Sequence, residues 1–218
     1  MQVELLREGQ SRSLREDQLS SQERLRPERS RTDCPVLLSE RLVLRAPHEE
    51  DIDALAHLAN NANVATMVSR MPHPYTVNDA ADFVRRTKLG EIGKCVYAIT
   101  KADNGAFLGC CGIEPTADPL AVEIGYWLGE PHWNSGYTTE AAHALIDMVF
   151  RTRDQVETID ARCRVTNVAS RRVLQKCGFQ FQGTGLAASL ALGSNVSVEW
   201  FRLDRKTGMS LRSWGALK

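Results

Sequence analysis

A mixed α/β fold in a single domain is what this 218-residue sequence predicts. Three observations carry that expectation. Runs that alternate apolar and polar residues, as strands do, are interleaved with runs at the helical period. Gly, Pro, Asn and Asp clusters separate the runs. Apolar residues make up 43% of the chain, enough for one sizeable core, and no stretch repeats another.

The first 33 residues stand apart. They are crowded with Arg, Glu, Gln and Ser and contain neither Lys nor an aromatic residue. Such a segment buries too little apolar surface to offset the entropy of ordering it. Residues 1–33 are therefore expected to be a disordered extension, and the folded domain to run from 37 to 204, with 205–218 as a C-terminal tail.

Within that domain the elements follow in order. Residues 41–45 (RLVLR) alternate as a strand until Pro47 ends it. The acidic run Glu49-Glu50-Asp51 then suits a helix N-terminus and opens a helix to about Ala59. A second helix is predicted over 77–89, with Thr76 or Asn78 as N-cap. The intervening segment 60–75 is too long for a simple connector and is a candidate wall of a binding site. Strands at 95–100 and 106–113 are joined by a turn bearing Asn104-Gly105. The strand at 121–128 sets Val122, Ile124, Tyr126 and Leu128 on one face and Glu123, Gly125 and Trp127 on the other. Gly129, Pro131, Asn134, Ser135 and Gly136 interrupt it, and a helix runs from about 136 to 152 with Ala141, Leu145, Met148 and Val149 inward. A strand follows at 156–163, a helix capped by Asn167 at 168–176, and closing strands at 179–183 and 196–203. The order is β-α-α-β-β-β-α-β-α-β-β.

Bulk properties exclude some roles. Twenty-seven basic and 27 acidic residues balance, so nothing points to nucleic acid or an anionic membrane. No 18-residue apolar run or signal-like N-terminus is present, which predicts a cytoplasmic protein without a membrane partner. Cysteines at 34, 95, 110, 111, 163 and 177 include no CxxC pair, and free thiols in a reducing compartment are expected. His57, His73, His132 and His143 show no ligand spacing, so no metal is expected. Cys110-Cys111 has no basic neighbour to make a nucleophile of it.

The chemistry concentrates at 121–141. A strand feeding a small-residue turn that opens a helix makes an anion site, because the first helical N–H groups lack partners and the dipole adds positive potential. A pyrophosphate is the natural occupant.

Three motifs, in this order, carry a family resemblance: Ser39-Glu40-Arg41-Leu42-x-Leu44-Arg45; Glu123-Ile124-Gly125-Tyr126-Trp127 followed by Trp133-Asn134-Ser135-Gly136-Tyr137-Thr138-Thr139-Glu140-Ala141; and Asn167-x-x-Ser170 with Lys176-x-Gly178-Phe179. Together they resemble the GNAT superfamily of acyl-CoA N-acyltransferases, and within it the branch that includes the ribosomal-protein N-terminal acetyltransferases. The resemblance spans about 37–204. It implies a central mixed, mostly antiparallel sheet flanked by helices, and acetyl transfer from acetyl-CoA to a primary amine by direct attack in a ternary complex. The acceptor would be a protein N-terminus or a small-molecule amine, and the chain a monomer or homodimer.

It also assigns roles. Backbone N–H groups of Trp133, Asn134, Ser135, Gly136, Tyr137 and Thr138 would face the pyrophosphate, and Trp127 and Leu128 would flank the pantetheine arm. Asn167 would contact that arm, Lys176 would reach a phosphate, and Ser170 would donate to the departing thiolate. Glu123, on the face turned toward the acceptor, would take the amine's proton directly or through water. The family's phosphate loop reads R/Q-x-x-G-x-G/A, and here Pro131 replaces the first residue and Asn134 the first glycine. Pro has no N–H or side-chain donor, whereas Asn tolerates left-handed backbone angles. Those two changes leave an alternative open, a catalytically silent CoA-binding module. The acceptor side is expected from segment 60–75 and the small, apolar stretch 186–196.

Overall fold

The computed structural model describes residues 34–93 and 95–215; the extension read at 1–33 lies outside the described residues. Alternation does translate into strands. Leu42 and Leu44 are fully buried in β2 (Leu42–Arg45), and Val122, Ile124 and Leu128 are buried in β5 (Ala121–Leu128). Between them lie β3 (Cys95–Lys101) and β4 (Phe107–Pro115). A two-residue strand that the sequence does not announce, β1 (Leu37–Leu38), pairs with β2.

After β5 come β6 (Thr158–Arg164), β7 (Gln180–Ser189) and β8 (Ser194–Asp204). The sheet runs β1-β2-β3-β4-β5-β6-β8-β7, with every described pairing antiparallel except β5 with β6. The last hairpin is longer than expected, because strand pairing continues from Phe181 through Ser189 into the stretch expected on the acceptor side.

Helices cover both faces. On one side lie α1 (Ile52–Ala59), a short α2 (Ala62–Ala65) inside the long connector, and α3 (Val77–Lys88). Thr76 caps α3, accepting from the Asp79 N–H while the Asp79 carboxylate accepts from the Thr76 N–H. These helices bury Leu55, Ala59, Val64 and Val84 against Ala98, Phe107 and Cys110. On the other side α4 (Tyr137–Thr152) and α5 (Val168–Lys176) pack Leu145, Val149 and Leu174 onto Tyr97, Ile113, Ile124 and Ile159. The alternation of β5 thus sorts its residues between two different cores, with Glu123 and Trp127 facing the α1–α3 side.

Two expectations change. Residues 205–215, read as a tail, form α6 (Arg205–Gly215). Asp204 accepts from the N–H and hydroxyl of Thr207, as an N-cap does, and Arg205 donates to the carbonyls of Phe150, Arg153 and Val156. The free-thiol reading holds for Cys110, Cys111, Cys163 and Cys177, all buried. It is corrected at Cys34, which is disulfide-bonded to Cys95. The cause is β1, which runs beside β2 and carries Cys34 to a Cα distance of 5.6 Å from the start of β3. Burial raises the remaining thiols, Cys163 to about 11 and Cys177 to about 12, so neither is a thiolate nucleophile at neutral pH.

Candidate active site

The parallel pairing of β5 with β6 ends at Glu123 and Asp160. Beyond it β5 continues to Leu128 paired only with β4, and β6 continues to Arg164 paired only with β8. The two strands therefore part, leaving an opening between them whose β5 edge has no strand partner. α4 and α5 pack on the same face of the sheet.

The loop before α4 has a defined shape. Glu130–His132 make one turn of 3-10 helix, and Glu130 is pinned by the side-chain amides of Asn61 and Asn63. Asn134 has φ 59° and Gly136 φ 81°. These left-handed residues bracket Ser135 at the head of α4, where the first helical N–H groups lack helical partners and can meet an anion; the Trp133 N–H is already taken by the Glu130 carbonyl at 3.1 Å. Asn134 thus adopts the backbone angle that glycine would supply. Gly136 is the N-cap of α4, and Tyr137 and Thr138 are its first two residues. Trp133, 38% exposed, donates its indole N–H to the Leu128 carbonyl at 2.8 Å, so that carbonyl already has a partner. The cradle fits a pyrophosphate by its backbone.

Across the opening, Asn167 caps α5 by accepting from the Ser170 N–H at 3.0 Å. The Ser170 hydroxyl lies 3.0 Å from the Tyr126 hydroxyl. Tyr126 comes from β5 and Ser170 from α5, so this bond spans the gap. Burial holds the Tyr126 phenol well above its ordinary value, in spite of the opposing bond to Ser170, and it stays protonated at neutral pH. Sequence reasoning assigned Ser170 and missed Tyr126, whose place in the apolar row made it look like core. Lys176 is exposed at the far end of α5. Arg171, on the same helix, is forked onto Glu199.

On the opposite face Glu123 is joined by Arg162 through two bonds, 2.7 and 2.8 Å. Trp127 shares that face and packs edgewise on Phe107, with centroids 6.2 Å apart. Glu114, Glu123 and Asp160 form a row of carboxylates across β4, β5 and β6, and Arg70, Arg162 and Arg202 pair with them one to one. The two segments expected on the acceptor side do meet, since Leu190 N–H donates to the Ser69 carbonyl at 2.9 Å. Arg164 reaches the Thr66 carbonyl at 2.6 Å and ties the connector to β6. A separate cavity of about 620 Å³, lined by Asp53, His57, Asn60 and Tyr75 among others, meets the loop before α4 only at Glu130 and Pro131. Among the described residues no cluster of His, Cys, Asp and Glu could hold a metal, and no helix is long and apolar enough to cross a membrane.

The acetyltransferase (GNAT) domain family matches residues 41–180. This chain is a GNAT-family acetyltransferase. A Bacillus subtilis protein, YkkB, is 31% identical over 68% of this chain and 87% of its own length. The N-acetyltransferase p20 of Bacillus licheniformis is 28% identical over 78% of this chain and 96% of its own. Solved structures share the fold. A GNAT acetyltransferase of Bacillus anthracis superposes with TM-score 0.69 at 19% identity, covering 79% of this chain and 99% of that one. RimL, a ribosomal L7/L12 alpha-N-protein acetyltransferase solved with coenzyme A, gives 0.66 at 22% identity, covering 78% and 98%. A spermidine N-acetyltransferase of Vibrio cholerae, solved with CoA and spermine, gives 0.66 at 16%, covering 78% and 99%. Membership makes the chain an acyl-CoA-dependent N-acetyltransferase.

Proposed function

We propose that this GNAT enzyme acetylates a primary amine of low charge, a protein N-terminus or a small monoamine, using acetyl-CoA bound in the opening between β5 and β6. The observation that carries the reading is the Tyr126–Ser170 pair spanning that opening, beside the left-handed loop that heads α4. When bound, acetyl-CoA supplies an activated thioester. The amine nitrogen forms its bond to the acetyl carbon, the carbon–sulfur bond breaks, and the proton lost by the amine is matched by one gained by the sulfur.

The chain's own groups divide that work. Loop N–H groups from Asn134 to Thr138 hold the pyrophosphate, the Trp133 N–H being taken by the Glu130 carbonyl; the end of β5 at Trp127 and Leu128 flanks the pantetheine arm, and Asn167 fixes the start of α5. The Tyr126 and Ser170 hydroxyls share a hydrogen bond, and with Tyr126 as its donor the Ser170 hydrogen is left to meet the departing sulfur. Lys176 offers a cation to the nucleotide end. On the acceptor face Glu123 receives the amine's proton, directly or through a water, with its orientation set by the Arg162 fork. Both oxygens are already engaged by Arg162, so an acceptor that deprotonates readily suits the site. An α-amino group, with a reference pKa near 8, does so far more easily than a lysine amine near 10.4.

The RimL and spermidine enzymes span the two acceptor extremes. Here the carboxylates that a polycation would seek are each taken by an arginine, while Leu186, Leu190 and Leu192 are exposed on the hairpin. Both facts favour a weakly charged acceptor with apolar character. The test is thiol release from acetyl-CoA against spermidine, simple monoamines and short peptides with free N-termini, for wild type, Glu123→Gln and Ser170→Ala. Turnover on peptides or monoamines, lost in Glu123→Gln while CoA still binds, is the expected result. Preference for spermidine would overturn the acceptor reading.

A further inference from the structure

The loop that would hold the pyrophosphate has lost its side-chain donor at Pro131, and its shape is set from a strand about ninety residues away. Arg41, next to β2, donates through Nη1 to the Ser135 carbonyl at 3.0 Å. Its guanidinium lies 4.6 Å from the centroid of the Tyr137 ring, and a Cβ built on Gly136 would sit 3.4 Å from its Nη2. Arg41 is itself held. Glu140, in the first turn of α4, accepts from Arg41 Nε at 2.8 Å, from the Arg41 backbone N–H at 2.7 Å and from the Ser39 hydroxyl at 2.8 Å. Although burial pushes the Glu140 carboxyl up, the Arg41 N–H, Ser39 hydroxyl and Arg41 guanidinium together hold it below the usual carboxylate value.

Peptide geometry turns this contact into a function. In a planar trans peptide the C=O and N–H point in opposite directions. Holding the Ser135 carbonyl toward Arg41 therefore points the Gly136 N–H away from it. The residue after that peptide is glycine, with no Cβ to oppose a flip. The carbonyl contact is what selects one orientation.

Resting on the phosphate-cradle reading above, we propose that Arg41, held by Glu140, which Ser39 fixes in turn, is a positioning residue for cosubstrate binding. It orients the Gly136 N–H toward the pyrophosphate, and it neutralises Glu140, whose charge at a helix N-terminus would otherwise oppose an anion.

The test is calorimetric titration of the full chain with CoA, in which stoichiometry reports the folded fraction and Kd is read independently of it. Arg41→Lys keeps the charge but cannot fork between Ser135 and Glu140; its Kd is expected to rise about tenfold. Glu140→Gln is expected to weaken binding to a similar degree. Charge alone predicts the reverse, because that substitution removes a negative group beside an anion site. Wild-type affinity in Arg41→Lys, or tighter binding in Glu140→Gln, overturns the proposal while leaving the cradle intact. Failure of the wild type to bind CoA would overturn the cradle reading and this proposal with it.

Discussion

Tyr126 and Ser170 make a prediction that belongs to single side chains. On the proposed role, removing the Ser170 hydroxyl takes away the proton donor to the sulfur, and Ser170→Ala is expected to lower kcat by about 10- to 100-fold with little change in CoA affinity. Tyr126→Phe leaves that hydroxyl in place but removes the hydroxyl bonded to it. A loss of only severalfold is expected, in kcat rather than KM. Steady-state kinetics on both variants decide the order, and a Tyr126→Phe enzyme slower than Ser170→Ala would contradict it. The sequence singled out Glu123 and Ser170 as candidates through the family motifs they lie in. It could not supply Arg162, which meets Glu123 across a gap of 39 residues, nor Tyr126, which alternation placed among core residues. Both partners come from chain segments whose proximity only folding creates.

Between elements, the β4–β5 pair and the start of α1 carry the next two predictions. Gly109 lies opposite Leu128 in the ladder, and a Cβ there would come within 2.2 Å of the Trp127 carbonyl oxygen and 2.8 Å of the Leu128 Cα. Backbone cannot yield as a side chain does, so Gly109→Ala is expected to cost at least about 3 kcal/mol. It should also reduce CoA binding, because the displaced strand end is the one lining the opening. Urea denaturation and CoA titration check both. Asp51, its side chain 4% exposed, is forked by Arg45 at 2.7 and 2.8 Å and accepts from the His48 N–H. Burial alone would raise its carboxyl, yet Arg45 and the His48 N–H bring it below the ordinary value. Its contribution is therefore fully present above the unfolded carboxylate range near 3.9 and fades as pH falls below it. Asp51→Asn should be less stable than wild type by about 3 kcal/mol at pH 7. The gap should narrow between pH 4 and 2; a gap that widens on acidification would refute the sign.

For the molecule as a whole, the Cys34–Cys95 bond joins the start of the described chain to the sheet across 61 residues. Closing a loop of that length removes unfolded-state entropy worth about 4 kcal/mol in the chain-entropy picture. In a domain of this size that corresponds to a thermal midpoint lower by about 10 °C on reduction. Thermal scans with and without reductant test this, using Cys34→Ser as the variant that should no longer respond. A reductant-insensitive wild type would count against the pairing. No sequence rule reached this bond, because it depends on β1, two residues long and without a pattern of its own.

The sequence by itself determined the main elements and their order, though not β1, α2 or α6, and the family with them. Val122, Ile124 and Leu128 had to face a core, Asn167 had to cap, and Asn134 and Gly136 had to turn. These are local consequences of side-chain period and backbone angle, readable over a few residues. The tertiary structure alone decided who meets whom. It parted β5 from β6 after Glu123, set Tyr126 on Ser170, gave Arg162 to Glu123 and Arg41 to the phosphate loop, and joined Cys34 to Cys95. Those contacts depend on strand register and helix placement, which sum many weak packing terms over the whole chain and leave no mark at any one position.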